Sequence, residues 1–208
     1  MNLLLYSFVL TADHVKELTT MVGKPADAIS LAAIENAADT VPDSEGWRAE
    51  VRAGLASFGF NVQLIDLRNW LAGQPGLADA LAGSDVIWIG GGNTFYLRWI
   101  LKATGADRLI TARVQARSAV YAGISAGAIV AGPTLRHTEL MDDPAAAPNL
   151  IWEGLSLTQT VVVPHVDNAY YRDGAAAMVQ AVKADGLPLV ALNDDQALIV
   201  TDSGERVV

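Results

Sequence analysis

SAVYAGISAGAIVAGP, residues 118–133, is the stretch whose reading decides the fold. Ser118 to Gly123 reads as a short apolar strand, and it runs directly into a small-residue helix start at Ala126. At that junction Gly123-Ile124-Ser125-Ala126-Gly127 fits G-x-S-x-G, the nucleophile elbow, in which glycines relieve crowding while the serine hydroxyl projects above a sheet. The pentapeptide alone is a weak signal, because a tight turn with a serine helix cap has the same spelling. Its position between a strand and a helix is the context the elbow requires.

Outward from the elbow, apolar runs alternate with helical patterns. Asn2 to Phe8, Ala28 to Ile34, Asn61 to Leu67 and Asp85 to Ile89 read as strands on the amino-terminal side. Thr160 to Val163, Pro188 to Leu192 and Ala197 to Thr201 follow on the other. Asp13 to Met21 and Ser44 to Phe58 carry helical patterns closed by Gly23 and Gly59, and Asn93 or Thr94 caps a helix running to about Ala103. Strands separated by helices, each too apolar to have a wet face, predict a three-layer α/β fold: a mostly parallel sheet with helices on both faces. No repeat or long linker divides the chain, so residues 1–208 are expected to form a single α/β domain. In such sheets ligands bind beyond the carboxyl ends of the strands, which is where chemistry is sought.

Composition narrows the chemistry further. The chain has no cysteine, which excludes disulfides, thiolate metal sites and a cysteine nucleophile. A net charge of -9, with 14 basic residues that form no run, argues against a nucleic-acid surface. No apolar run reaches the length of a membrane span and the amino terminus has no secretory signal pattern, so the expected location is cytoplasmic, with no membrane partner. No feature calls for a metal or organic cofactor.

A serine nucleophile needs a base, and the chain offers three histidines. His14 falls in the first helix pattern and reads as a surface residue, and His137 falls in a polar loop. His165 leaves the buried run Val161-Val162-Val163-Pro164 at the end where ligands bind, and is the candidate base. Gly91 and Gly92, in the loop after the fourth strand, and the amide of Ala126 are candidate oxyanion donors. A glycine-rich loop is also a phosphate cradle, but neither G-x-G-x-x-G nor a P-loop lysine is present. The acid that orients the histidine is sought among Glu139, Asp142, Asp143, Asp167, Asp194 and Asp195, among which spacing does not choose.

GGGNTF (Gly90 to Phe95), GISAGAIVAGP (Gly123 to Pro133) and VPH (Val163 to His165) together resemble the dipeptidase E and cyanophycinase family of serine peptidases. The resemblance implies a flavodoxin-like sheet related to the class I glutamine amidotransferases, with serine where those enzymes carry cysteine. It implies Ser125 as nucleophile, His165 as base and an acid shortly after the elbow helix, matched to Glu139. It further implies a small peptide substrate cleaved as by a dipeptidase, with an acidic residue on its amino-terminal side. The G-E-T-R-type segment that supplies dipeptidase E with its arginine is missing here. Arg172 is the substitute at shorter spacing, with Asn93 and Asp167 as further substrate-binding candidates. An esterase- or cyanophycin-type hydrolase and a catalytically silent binding protein are the competing readings, and a homodimer stays open.

Overall fold

Parallel strands need a crossover between them, and the helical patterns supply it. The computed structural model describes residues 1–208. It contains β1 (Leu3–Tyr6), α1 (Ala12–Val22), β2 (Ser30–Ile34), α2 (Glu45–Ser57), β3 (Asn61–Leu64), α3 (Leu77–Ala82), β4 (Val86–Ile89), α4 (Thr94–Thr104), α5 (Ala106–Gln115) and β5 (Val120–Ile124). After the elbow come α6 (Ala126–Val130), β6 (Val161–Val163), α7 (Arg172–Ala184), β7 (Leu189–Ala191), β8 (Ala197–Thr201) and β9 (Gly204–Val207). The central sheet has seven strands in the order β3-β2-β4-β5-β1-β8-β9. Its first five strands in that order run parallel, whereas β8 is antiparallel to β1 and β9 to β8. No helix is long and apolar enough to cross a membrane.

The pleat divides the core into two layers, because successive side chains of a strand point to opposite faces. Leu3, Leu5, Ile87, Ile89 and Tyr121 join a 32-residue cluster with residues of α3, α4, α5 and α6. Leu4, Tyr6, Val86, Trp88, Val120 and Ala122 join a 16-residue cluster with Val15 and Leu18 of α1 and Leu55 of α2. This is the expected three-layer α/β architecture. The register pairs Tyr6 with Ile124 and Ile89 with Gly123, so β1, β4 and β5 end level with one another. Ser7, Gly90 and Ser125 therefore emerge along one edge of the sheet.

Three expectations are corrected. β3 is an edge strand whose residues are mostly exposed, since nothing pairs beyond it. β6 and β7 pair with each other in a separate two-stranded parallel sheet instead of joining the central one. His14 is buried at 1% exposure: its ring accepts from the Thr11 amide while the Thr11 hydroxyl accepts from the His14 amide, a reciprocal cap on α1. Ala28 to Ile34, whose alanines favour helix, forms β2, because pairing on both sides with β3 and β4 outweighs intrinsic propensity.

Candidate active site

The elbow is built by close backbone approach. Ser125 has φ 50° and ψ −112°, outside the regions open to ordinary residues. Its amide donates to the Tyr6 carbonyl (3.1 Å), and its carbonyl accepts from Ala128 and Ile129 (2.8 and 2.9 Å), which locks the turn from both sides. A side chain at Gly123 would place its Cβ 2.4 Å from the Gly127 oxygen, and one at Gly127 would meet the Ile89 oxygen at 2.3 Å. Both glycines of the motif are thus sterically required. The buried Tyr121 hydroxyl donates to the Gly127 carbonyl (2.6 Å), tying the start of α6 back to β5.

His165 lies two residues past β6, with φ 66° and only 3% exposure. Its Nε2 is 2.9 Å from Ser125 Oγ, and its Nδ1 is 2.7 Å from Asp194 Oδ1. A carboxylate can only accept, so Nδ1 carries the proton and Nε2 is left to accept from the serine hydroxyl. The Ser7 hydroxyl accepts the His165 amide (2.8 Å) and donates to Asp194 Oδ1 (3.3 Å), so one side chain after β1 positions both partners. Tyr171 stacks on the imidazole (centroids 4.8 Å apart, 28° between planes), and Phe8 meets it edge-on at 5.7 Å.

The carboxylate on the histidine is therefore Asp194, not Glu139. Glu139 is exposed in a short turn, Thr138–Leu140, and makes no hydrogen bond to His165. Asp194 follows β7, which pairs with β6, and that pairing brings its loop beside the histidine. Asn168 donates to Asp194 Oδ2 (2.6 Å), and the Asp194 amide donates to Asp167 Oδ1 (2.8 Å). Burial is the largest influence on the Asp194 carboxyl and pushes it up, but the hydrogen bonds from Asn168 and His165 together outweigh it and hold it below the usual range.

The other expected residues fall as follows. Gly91 faces the nucleophile, since a Cβ there would lie 3.3 Å from Ser125 Cβ. Gly92 has φ 135°, and a side chain would strike the Ala37 carbonyl at 2.3 Å, so the loop is closed to anything but glycine. The amides of Gly91, Gly92 and Ala126 have no backbone acceptor, which leaves them available to a ligand beside Ser125 Oγ. Asn93 is occupied at both ends, accepting from the Tyr96 amide and donating to the Asp143 carbonyl (both 2.9 Å), so it shapes the loop. Arg172 is 64% exposed and turned to Asp173, 3.6 Å away, and Asp167 serves the Asp194 backbone. The sequence does not point to Ser7 or Tyr171: Ser7 falls inside the run Asn2 to Phe8 that reads as a strand, whereas β1 ends at Tyr6 and leaves Ser7 at its carboxyl end.

A mostly parallel three-layer sheet carrying a serine elbow, a histidine and a carboxylate at its strand ends defines an α/β protein with a Ser-His-Asp constellation. A sequence model of peptidase family S51 matches residues 12–208, and the chain belongs to that family. It is 34% identical to an uncharacterized peptidase of Pasteurella multocida strain Pm70 over 166 residues, covering 79% of this chain and 78% of that one. An uncharacterized peptidase of Listeria monocytogenes serovar 1/2a is 32% identical over 137 residues, 65% of each chain. The Peptidase E of Salmonella arizonae is 41% identical over 91 residues, which are 44% of this chain and 38% of that protein. The matched segments thus span from over a third to over three quarters of these relatives' lengths. The crystal structure of a candidate Peptidase E protein from Listeria monocytogenes EGD-e superposes with a TM-score of 0.83 at 25% identity, covering 100% of this chain and 97% of the other. These findings agree with the dipeptidase E resemblance drawn from GGGNTF, the elbow and VPH.

Proposed function

We propose that residues 1–208 form one peptidase unit that hydrolyses short peptides through an acyl-enzyme on Ser125. The observation that carries this reading is the unbroken relay from Ser125 Oγ to His165 Nε2 (2.9 Å) and from His165 Nδ1 to Asp194 (2.7 Å). Ser125 Oγ attacks the scissile carbonyl carbon while His165 Nε2 takes its proton. The oxyanion of the tetrahedral intermediate is held by amides of Gly91, Gly92 and Ala126. His165 then returns the proton to the departing amine as the C–N bond breaks. Water enters by the reverse sequence, its proton passing to Nε2 and then back to Ser125 as the acid is released. Asp194 keeps the imidazole in the productive tautomer and stabilises its charged form. An esterase shares these steps, but family membership favours peptide bonds.

The decisive experiment pairs Ser125 labelling by a neutral fluorophosphonate with a dipeptide panel, in wild type and Ser125→Ala. Labelling and turnover in the wild type, both absent from the folded variant, are expected. A folded wild type that neither labels nor cleaves would make it a silent binding protein.

A further inference from the structure

Three aromatic rings gather on the catalytic base and stay open to solvent. Phe8 meets the His165 imidazole edge-on at 5.7 Å, Tyr171 stacks on it at 4.8 Å, and Tyr170 packs edge-on against Tyr171 at 4.8 Å. Phe8 is 55% exposed and Tyr170 85%, so these two bury little of their own surface by packing there. Aromatic surface left open in a group, around a side chain that reacts, marks a place where something else is bound.

The backbone carrying these rings is held from both sides. The amides of Phe8 and Val9 both donate to the Asp194 carbonyl (3.1 and 2.8 Å). Asn168 Oδ1 accepts from the Tyr170 amide (2.9 Å), while its NH₂ donates to Asp194 Oδ2 (2.6 Å). Both tethers thus end on the residue that orients the base, which places the rings in advance of any ligand. The charge around them is negative: burial first, and then the fields of Asp142, Tyr170 and Asp194, push the Tyr171 hydroxyl up, and no cation counters them. Arg172, next in the chain, is turned outward to Asp173.

Building on the peptidase reading, we propose that Phe8 and Tyr170, on either side of the imidazole and Tyr171, form a subsite for the residue on the carboxyl side of the scissile bond and select an apolar side chain there. The chemistry fixes which half of the substrate meets them. His165 Nε2 gives its proton to the departing nitrogen, so that nitrogen comes within hydrogen-bond reach of the imidazole, and the Cα of the leaving residue is one bond further on. The carbonyl oxygen of the other half is drawn away toward Gly91 and Ala126, beside Ser125. The leaving residue's side chain therefore emerges next to the rings packed on His165. Apolar contact favours leucine or phenylalanine there, and the unopposed carboxylates disfavour aspartate or glutamate.

The test fixes the first residue of a dipeptide at the best one found in the panel above and varies the second over Phe, Leu, Gly and Asp. All four substrates pass through the same acyl-enzyme, so differences in kcat/KM arise before the leaving residue departs. In the wild type, Phe and Leu should exceed Gly by about tenfold, the worth of burying part of one apolar side chain, and Asp should fall below Gly. In Phe8→Ala and in Tyr170→Ala the Phe-to-Gly ratio should drop at least about threefold, whereas Phe8→Leu and Tyr170→Phe should restore it. Both positions are exposed, so the variants should fold, and any disturbance of His165 acts on both substrates alike and cancels in the ratio. A wild-type ratio near one, a ratio that survives both alanine changes, or a loss equal for Phe and Gly would overturn the assignment. So would a wild-type dimer that the alanine changes dissociate, since the rings would then be a contact between two copies of the chain. A folded wild type that neutral fluorophosphonate does not label would instead remove the peptidase reading on which the assignment rests.

Discussion

Replacing Asp194 by asparagine keeps the shape of the loop after β7 and reverses the logic of the hydrogen bond to His165. Asp194 Oδ1 now faces Nδ1 at 2.7 Å and fixes the proton there, leaving Nε2 bare for Ser125. An amide is free to turn its NH₂ toward Nδ1, which stabilises the tautomer protonated at Nε2, and that imidazole cannot take the serine proton. The corresponding change in a Ser-His-Asp protease lowers turnover about 10⁴-fold. Here Asn168 donates to the second Asp194 oxygen at 2.6 Å and favours the amide oriented with its oxygen toward Asn168 and its NH₂ toward His165, the damaging orientation. The expected loss is therefore the full range of about 10³- to 10⁴-fold in kcat, with KM nearly unchanged. Removing the charge also weakens the bonds from Asn168 and Ser7, at about 1–3 kcal/mol of stability, which thermal unfolding would report. Because the Asp194 carboxyl is held below its usual range, it stays ionised as pH falls from neutrality toward 5, so the acid limb of wild-type activity reflects another group. Glu139→Gln is the paired control, expected to retain activity within about twofold, as surface changes do. A folded Asp194→Asn within tenfold of the wild type, or an inactive Glu139→Gln, would refute the reasoning.

Tyr121→Phe removes the only side-chain donor to the Gly127 carbonyl; unfolding should report a loss of about 1 kcal/mol, and steady-state kinetics a severalfold fall in kcat with KM unchanged as the elbow loosens. Asp66 is held down at about 2, first by its hydrogen bond from Arg68 and then by Asn36, against the opposing effect of burial. A depressed folded-state value stabilises above the unfolded value of about 3.9 and is lost as pH falls through the folded one. The gap in urea midpoint between wild type and Asp66→Asn should therefore be constant above about pH 5 and shrink from about pH 4 toward 2.

The alternation of strands with helices and the elbow were legible because both are local: an apolar run, a small-residue turn and a helix start lie next to one another in the chain, whereas the order of strands across the sheet and the last strand, β9, were not. His165 was legible for the same reason, as the polar residue ending the run Val161 to Pro164. The acid was not, because its identity depends on pairing between β6 and β7, which places Asp194 beside a histidine far from it in sequence. Glu139 follows the elbow helix more closely, but its short turn packs against the start of α7 with the carboxylate in solvent. Arg172 rested on spacing alone. Spacing put an arginine near the histidine, whereas the first turn of α7 directs it outward to Asp173. The burial of His14 was hidden because the capping box it completes has histidine where glutamate or glutamine is usual.

The backbone at the two reacting side chains explains why so much surrounding structure is fixed. Ser125 at φ 50° and His165 at φ 66° both occupy the left-handed half of backbone space, and the Ser125 ψ of −112° lies outside even the region that other residues visit there. A conformation of this kind costs about 1–3 kcal/mol and persists only where neighbours overdetermine it. At Ser125 the constraints are the Tyr6 carbonyl, the Ala128 and Ile129 amides, and two glycines that admit no Cβ. At His165 the constraint is the Ser7 hydroxyl, itself set by the end of β1. Tyr6 and Ser7 are consecutive, so a single strand end holds the nucleophile through its backbone and the base through its side chain. The distance between Oγ and Nε2 is thereby fixed by the sheet and not by the loops. A substrate then meets a serine already aligned with its base, and the ordering cost has been met during folding.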